Sequence, residues 1–219
     1  LNPQYQFTPA KEEPLNAEEY FGKGLGWDRL QDYHKAIQNY DKGIELNPQH
    51  AGTYNNRGLA KDDLKDYAGA IADYNKAIEL DPKDTVYYNN RGNAKKDLKD
   101  YAGAIADYDK AIELDPKYAY AYYNRGFFKY NLKDYEGAIA DYDKAIELDP
   151  KYASAYNNRG NAKYHLKDYV SAIADYDKAI ELDLQYTNAY NNRGIAKDDL
   201  KDYAGAIADY DKAIELNPK

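Results

Sequence analysis

Apolar and polar positions along the chain recur with a period of 34 residues, in units that begin at 17, 51, 85, 119, 153 and 187. Numbering each unit from 1 to 34 places Gly24, Gly58, Gly92, Gly126, Gly160 and Gly194 together at position 8. Tyrosine always occupies position 17, and positions 20, 21, 24, 28 and 30 are always Ala, Ile, Tyr, Ile and Leu. Those spacings follow a helical repeat and predict an amphipathic helix in the second half of every unit. An aspartate at position 16 (Asp32, Asp66, Asp100, Asp134, Asp168, Asp202) is suited to cap its N-terminus. Proline at position 32 closes it, except at Leu184, where the helix is expected to run slightly further.

The first half of each unit carries Tyr at position 4, Gly at 8, mostly Ala at 10, and Leu at 14, and predicts a second helix. Glycine inside a helix costs about 1 kcal/mol relative to alanine. Close approach of two helix backbones at position 8 is the expected compensation. One such helix pair cannot bury both of its apolar faces, so neighbouring pairs must stack on a continuous core. The expected fold is therefore an all-α array of six antiparallel helix pairs over 17–50, 51–84, 85–118, 119–152, 153–186 and 187–219. Residues 1–16, with Pro3, Pro9 and Pro14 around Tyr5 and Phe7, predict an extended leader or linker. Leu1-Asn2-Pro3 repeats the Leu216-Asn217-Pro218 that closes the last unit, and the chain has no methionine, which together suggest a piece of a longer repeat array.

The pattern resembles the tetratricopeptide repeat, which places a large aromatic at 4, Gly at 8, Ala at 20, an aromatic at 24, Ala at 27 and Pro at 32. Residues 17–219 match it almost throughout. The resemblance implies a right-handed superhelical solenoid in which the first helix of each pair lines the concave side, and a usual role in binding peptides. Two positions depart from the family. Arg57, Arg91, Arg125, Arg159 and Arg193 stand at position 7, and Lys61, Lys95, Lys129, Lys163 and Lys197 at 11, where leucine and tyrosine are common. Charges entering a helix interface need partners to offset desolvation. Asp73, Asp107, Asp141, Asp175 and Asp209 at position 23 supply them, predicting a ladder of arginines and aspartates such as Arg91 with Asp73 or Asp107.

Duplicated units drift where packing does not hold them, so their variation maps the surface available for a ligand. Within the first helix, positions 2, 5, 9, 12 and 13 vary most, and 2, 5, 9 and 12 form one stripe. The resemblance turns that stripe toward the groove. At its edge, position 6 is asparagine in five successive units: Asn56, Asn90, Asn124, Asn158 and Asn192. An asparagine amide both donates and accepts, which matches the C=O and N–H of a peptide unit. Asn55, Asn89, Asn157 and Asn191 at position 5 make a weaker version of the same signal. A net hydrogen bond contributes about 1 kcal/mol, against an association cost of roughly 4–15 kcal/mol, so apolar anchors must help. Of 27 tyrosines, 18 fill positions 4, 17 and 24, and the surplus gathers midway along the array. Tyr120, Tyr123, Phe127 and Tyr130 occupy the stripe of the fourth unit and Tyr164 that of the fifth, and are expected to form one aromatic patch. Such anchors can each be worth about 2 kcal/mol or more.

Charge refines the partner. The acidic Asp28, Asp62, Asp63, Asp97, Asp198 and Asp199 outnumber Arg29, Lys96 and His165 in the groove, favouring a neutral or basic extended segment. The family's clamp for acidic C-terminal tails lacks its lysines and arginines here. With 38 acidic and 30 basic residues the net charge is −8, which argues against nucleic acid and anionic membranes. No apolar run approaches the roughly 20 residues of a membrane span. The absence of cysteine excludes disulfides and suits cytosol and periplasm equally. His34, His50 and His165 lack metal-ligand spacing, and they are read as surface residues. No cofactor motif and no nucleophile–base pair is present, so no enzymatic activity is expected. A rival expectation is a scaffold whose copies stack end to end through Tyr210, Ala213 and Ile214 of the last unit.

Overall fold

The computed structural model describes residues 15–217, and the leader expected over 1–16 lies outside them save for Leu15 and Asn16. Among the described residues there are twelve α-helices and no strand. The chain forms two compact units divided after Pro82.

The first unit contains α1 (Ala17–Arg29), α2 (Tyr33–Leu46), α3 (Ala51–Asp63) and α4 (Tyr67–Leu80). The second contains α5 (Thr85–Asp97), α6 (Tyr101–Leu114), α7 (Ala119–Asn131), α8 (Tyr135–Leu148), α9 (Ala153–His165), α10 (Tyr169–Leu182), α11 (Thr187–Asp199) and α12 (Tyr203–Leu216). Consecutive helices pack as pairs, and pairs stack on one another within each unit. Odd-numbered helices are the first of each pair and even-numbered helices the second.

Local chemistry explains where the helices begin and end. Each aspartate at position 16 accepts the backbone N–H three residues on, as Asp134 does from Gly137 at 3.0 Å. Asn16 and Glu19 form a reciprocal capping box at the start of α1. Each first helix stops at a residue in the left-handed conformation, with φ between 59° and 66°. None of these six is glycine: Gln31, Lys65, Lys99, Lys133, Lys167 and Lys201 all accept the strain. The expected extension of the helix before Leu184 does not occur. α10 ends at Leu182 like its siblings, because the Asp183 side chain accepts the N–H of Gln185 and turns the backbone without proline.

The core consists mainly of alanines and tyrosines, joined by Phe128 and Ile180. Tyr40, Tyr74, Tyr108, Tyr142 and Tyr176 are the largest fully buried side chains. In the second unit Ala138 and Tyr142 pack against Ala162 of the next pair, and Ala172 and Tyr176 against Ala196. Glycine at position 8 proves to accommodate a ring rather than a neighbouring backbone. A Cβ built on Gly160 would lie 2.6 Å from Tyr176 Cε1, and one on Gly194 2.7 Å from Tyr210 Cε1.

Candidate peptide-binding face

The arginines at position 7 are drawn into the interface between helices. In the first unit Arg57 gives Nε and Nη2 to Asp73 of its own pair (2.9 and 2.5 Å) and Nη1 to Asp41 of the preceding pair (2.7 Å). Lys61 completes the cluster, 2.7 Å from Asp73. In the second unit Arg125, Arg159 and Arg193 bridge in the same way from Asp141, Asp175 and Asp209 back to Asp109, Asp143 and Asp177. Arg91 takes Asp107. The ladder thus chooses the aspartate of its own pair, and its second carboxylate at position 25 was not anticipated. Each guanidinium also lies over the tyrosine one turn earlier, as Arg159 does over Tyr156 at 5.4 Å. Burial opposes the charge on Asp209, but Arg193 and Lys197 outweigh it and hold the carboxyl below its ordinary range.

With position 7 tied down, position 6 stands beside it, half-buried at Asn56, Asn90, Asn124, Asn158 and Asn192. At position 5, expected on the open stripe, Asn55, Asn89 and Asn157 are instead buried, while Asn191 is exposed. The amides connect within the second unit. Asn192 Nδ2 donates to Asn157 Oδ1 (3.1 Å), Asn157 Nδ2 to Asn158 Oδ1 (3.1 Å), and Asn158 Nδ2 to the Tyr123 hydroxyl (3.1 Å). Asn124 Nδ2 donates to Asn89 Oδ1 at 2.8 Å. In the first unit Asn55 Nδ2 reaches Asn56 Oδ1 at 3.3 Å. The asparagines therefore form a bonded relay, with part of their capacity already in use.

The surplus aromatic residues separate into two groups. Tyr123 packs on Tyr152 (ring centroids 4.6 Å apart) and Tyr142 (5.9 Å), and Tyr120 joins Tyr152 (5.4 Å) while remaining 56% exposed. The second group lies about 10–15 Å further along α7, at 1.5 Å rise per residue. There Tyr130 meets Tyr135 (5.6 Å) and His165 (5.5 Å), and Tyr164 meets His165 (5.8 Å) and Tyr169 (5.3 Å). Phe127 stands between the groups on the same helix face, with its ring 38% exposed.

A cavity of about 180 Å³ opens beside the second group, lined by Tyr130, Asn161, Tyr164, His165, Tyr176, Asn192 and Ile195. Three of the expected residues, Tyr130, Tyr164 and Asn192, converge there. Asn161 and Ile195 were not among them, and His165 was expected in the groove only as a charge. Asn161 and Ile195 sit at the variable position 9, a signal sufficient to find them. His165 is exposed, as expected of a surface residue, but engaged: it lies parallel to Tyr135 at 4.9 Å, and its Nε2 is 2.9 Å from the Tyr130 hydroxyl. Tyr164 donates its hydroxyl to Asp199 at 2.6 Å, and that hydrogen bond pushes its pKa up to about 12. In the first unit a cavity of about 350 Å³ is lined by Phe21, Gly43, His50 and Thr53 among others and contains none of the expected residues. Asp28, expected as a groove charge, instead accepts the hydroxyl of the buried Tyr40.

Position 9 also controls the hydroxyl of the buried tyrosine at position 24. Where it is asparagine, the hydroxyl is satisfied: Tyr108 donates to Asn93 (2.7 Å) and Tyr176 to Asn161 (2.9 Å). Where it is Leu59 or Phe127 that partner is missing: the Tyr74 hydroxyl is buried without a hydrogen bond, and the Tyr142 hydroxyl has only the Asn158 amide of the next pair near it.

Among the described residues no three His, Asp or Glu side chains converge as a metal site, and no helix is long and apolar enough to cross a membrane. No curated protein sequence matches the chain. Among solved structures, MamA is 28% identical, covering 73% of this chain and 93% of its own, with a TM-score of 0.66. PilF of Pseudomonas aeruginosa is 20% identical over 92% of both chains with a TM-score of 0.81, and shares the fold. YrrB, described as a TPR protein with an unusual peptide-binding site, is 24% identical over 82% of this chain and 93% of its own, with a TM-score of 0.64. Tetratricopeptide repeat models match residues 17–50, 51–84, 73–106, 153–186 and 187–219, and TPR repeat models match 92–133 and 129–167. The chain belongs to the tetratricopeptide repeat family, an all-α helical-repeat scaffold for protein interactions.

Proposed function

We propose that the chain is a non-enzymatic scaffold that holds an extended, neutral or basic peptide segment along the first-helix face of its second unit. The binding residues are Asn90, Asn124, Asn158 and Asn192 with Tyr120, Tyr123, Phe127, Tyr130 and Tyr164, and Asn56 offers the same chemistry in the first unit. An amide has two N–H donors and an acceptor oxygen, so Asn124 and Asn158, which each give one N–H to a neighbour, can still meet a peptide unit, whereas Asn192 spends its donors on Asn157 and Asn161 and can offer only its oxygen.

Phe127 carries the argument. A buried unsatisfied hydroxyl costs about 1–3 kcal/mol, and Asn93 and Asn161 show that asparagine at this position removes the penalty. Repeat four forgoes that bond at Tyr142, as repeat two does at Tyr74 beside Leu59, but it alone places an aromatic residue there, Phe127, 38% exposed. A sacrifice of local stability for an exposed aromatic surface is what a binding site requires and a purely structural repeat does not.

The test is selection of a displayed library of 12-residue peptides on the wild-type chain, followed by affinity measurement on Phe127→Asn. That variant should bind the recovered peptides roughly thirtyfold more weakly, an aromatic anchor's contribution of about 2 kcal/mol, while its resistance to urea holds or rises. Unchanged affinity, or loss of affinity accompanied by loss of stability, would remove the support that Phe127 gives. Stacking of copies is a second reading, favoured by Ile207 and Ile214 of α12, which are 59% and 65% exposed, although Tyr210 and Ala213 are half-buried. A concentration-independent monomer mass would dismiss it.

A further inference from the structure

The cavity beside Tyr130 and Tyr164 has a chemistry of its own. At about 180 Å³ it is below the roughly 300–1,000 Å³ typical of small-molecule sites, and suits one side chain. Its walls are the rings of Tyr130, Tyr164 and His165, with Ile195 as an aliphatic contact. At its floor the Asn161 carbonyl oxygen already accepts from Tyr176 (2.9 Å) and Asn192 (3.0 Å), so it has little left for a neutral donor. The Tyr164 hydroxyl is committed to Asp199 (2.6 Å), which holds a carboxylate one hydrogen bond away from a lining ring, next in sequence to Asp198. No lysine or arginine lines the cavity. The nearby lysines are engaged elsewhere, Lys129 by Asp141, Lys163 by Asp175 and Lys197 by Asp209.

We infer that this cavity is a subsite for a cationic side chain, lysine or arginine, of the docked segment. The inference rests on the peptide-binding reading above and specifies one position of its ligand. Tyrosine rings present negative π faces that attract an ammonium or guanidinium group, and the attraction grows where water is excluded. Asp199, fixed by Tyr164, adds a charge of the right sign behind that wall. Tyr164 has two separable roles here: its ring forms a wall, and its hydroxyl positions Asp199.

The test begins with peptides selected on the wild-type chain. Their sequences should carry lysine or arginine at one fixed register, and replacing that residue by norleucine should weaken binding roughly tenfold. Tyr164→Leu should abolish the preference for lysine over norleucine, and Tyr164→Phe should keep most of it. Asn158→Ala should weaken both peptides alike. Selected peptides without a fixed cationic position, or a lysine preference that survives Tyr164→Leu, would overturn the subsite and leave the peptide-binding reading intact. Selection that recovers no peptide would count against that reading. The cavity is then decided independently by NMR titration of the chain with N-acetyl-lysine-N-methylamide and its norleucine analogue. Shifts at Tyr130, Tyr164 and His165 with the lysine probe alone support the subsite, and equal or absent shifts overturn it.

Discussion

Asp209 shows how a charged residue is tolerated inside a helix interface. It is 3% exposed and is met by two cations, Arg193 and Lys197. Removing one partner of a buried ion pair costs about 3–5 kcal/mol, because the remaining charges keep their desolvation without their attraction. Asp209→Asn should therefore lower stability by about 3 kcal/mol near neutral pH. The sign with pH follows from the lowered carboxyl pKa. The advantage of the wild-type chain is complete above the unfolded value of 3.8 and disappears as pH falls through the lower folded value. Urea titrations of both proteins should give a constant gap from pH 7 to about 5 and converging midpoints in stronger acid. A gap that closes well above pH 4 would mean that the ion pair is not its source. This ladder was legible in part: like charges at fixed positions on facing helices demanded partners, which identified Asp73 through Asp209 as a set. The second carboxylate at position 25 was not legible, because the reach from Arg57 to Asp41 depends on how successive pairs stack.

At the scale of the helix, caps and close contacts set the stability of each pair. Six first helices end at a non-glycine residue with positive φ. A side chain in that conformation costs roughly 1–2 kcal/mol, and glycine avoids the clash at some entropic cost. Lys133→Gly should raise stability by about 0.5–1 kcal/mol, seen as a higher urea midpoint. A lower midpoint would mean that the lysine side chain contributes more than its backbone strain costs. The glycines at position 8 predict the opposite direction. Gly160→Ala would push a methyl into the fully buried Tyr176 ring, an overpacking worth about 1–3 kcal/mol. Gly194→Ala should be milder, since Tyr210 is half-buried and its ring can move. Equal losses at the two sites would refute the ring contact as the cause. Helix positions and caps were readable because position 16 and the apolar spacing recur in every unit. The function of position 8 was not, since the same glycine permits either a backbone or a ring to approach, and only coordinates distinguish them.

For the molecule as a whole, repetition made the fold class readable and made the candidate site only partly so. Variation among copies marked positions 2, 5, 9 and 12 as free of the common packing; Tyr130 and Tyr164 from position 12 do share a cavity, whereas position 5 is buried at Asn55, Asn89 and Asn157. The expected single aromatic patch is instead two groups, because Tyr123 leans onto Tyr152, a residue of the connecting turn that helical spacing does not place. Position 6 likewise could not reveal that its amides bond to position 5 of the preceding pair, as Asn124 does to Asn89.

The most direct test places a photoreactive residue at position 127 on α7 or, as the control, at position 136 on α8, and irradiates each chain with a peptide recovered by selection. A ligand lying on the first-helix face should crosslink from position 127 and not from position 136. Crosslinking from position 136 alone would put the ligand on the second helices and contradict the account.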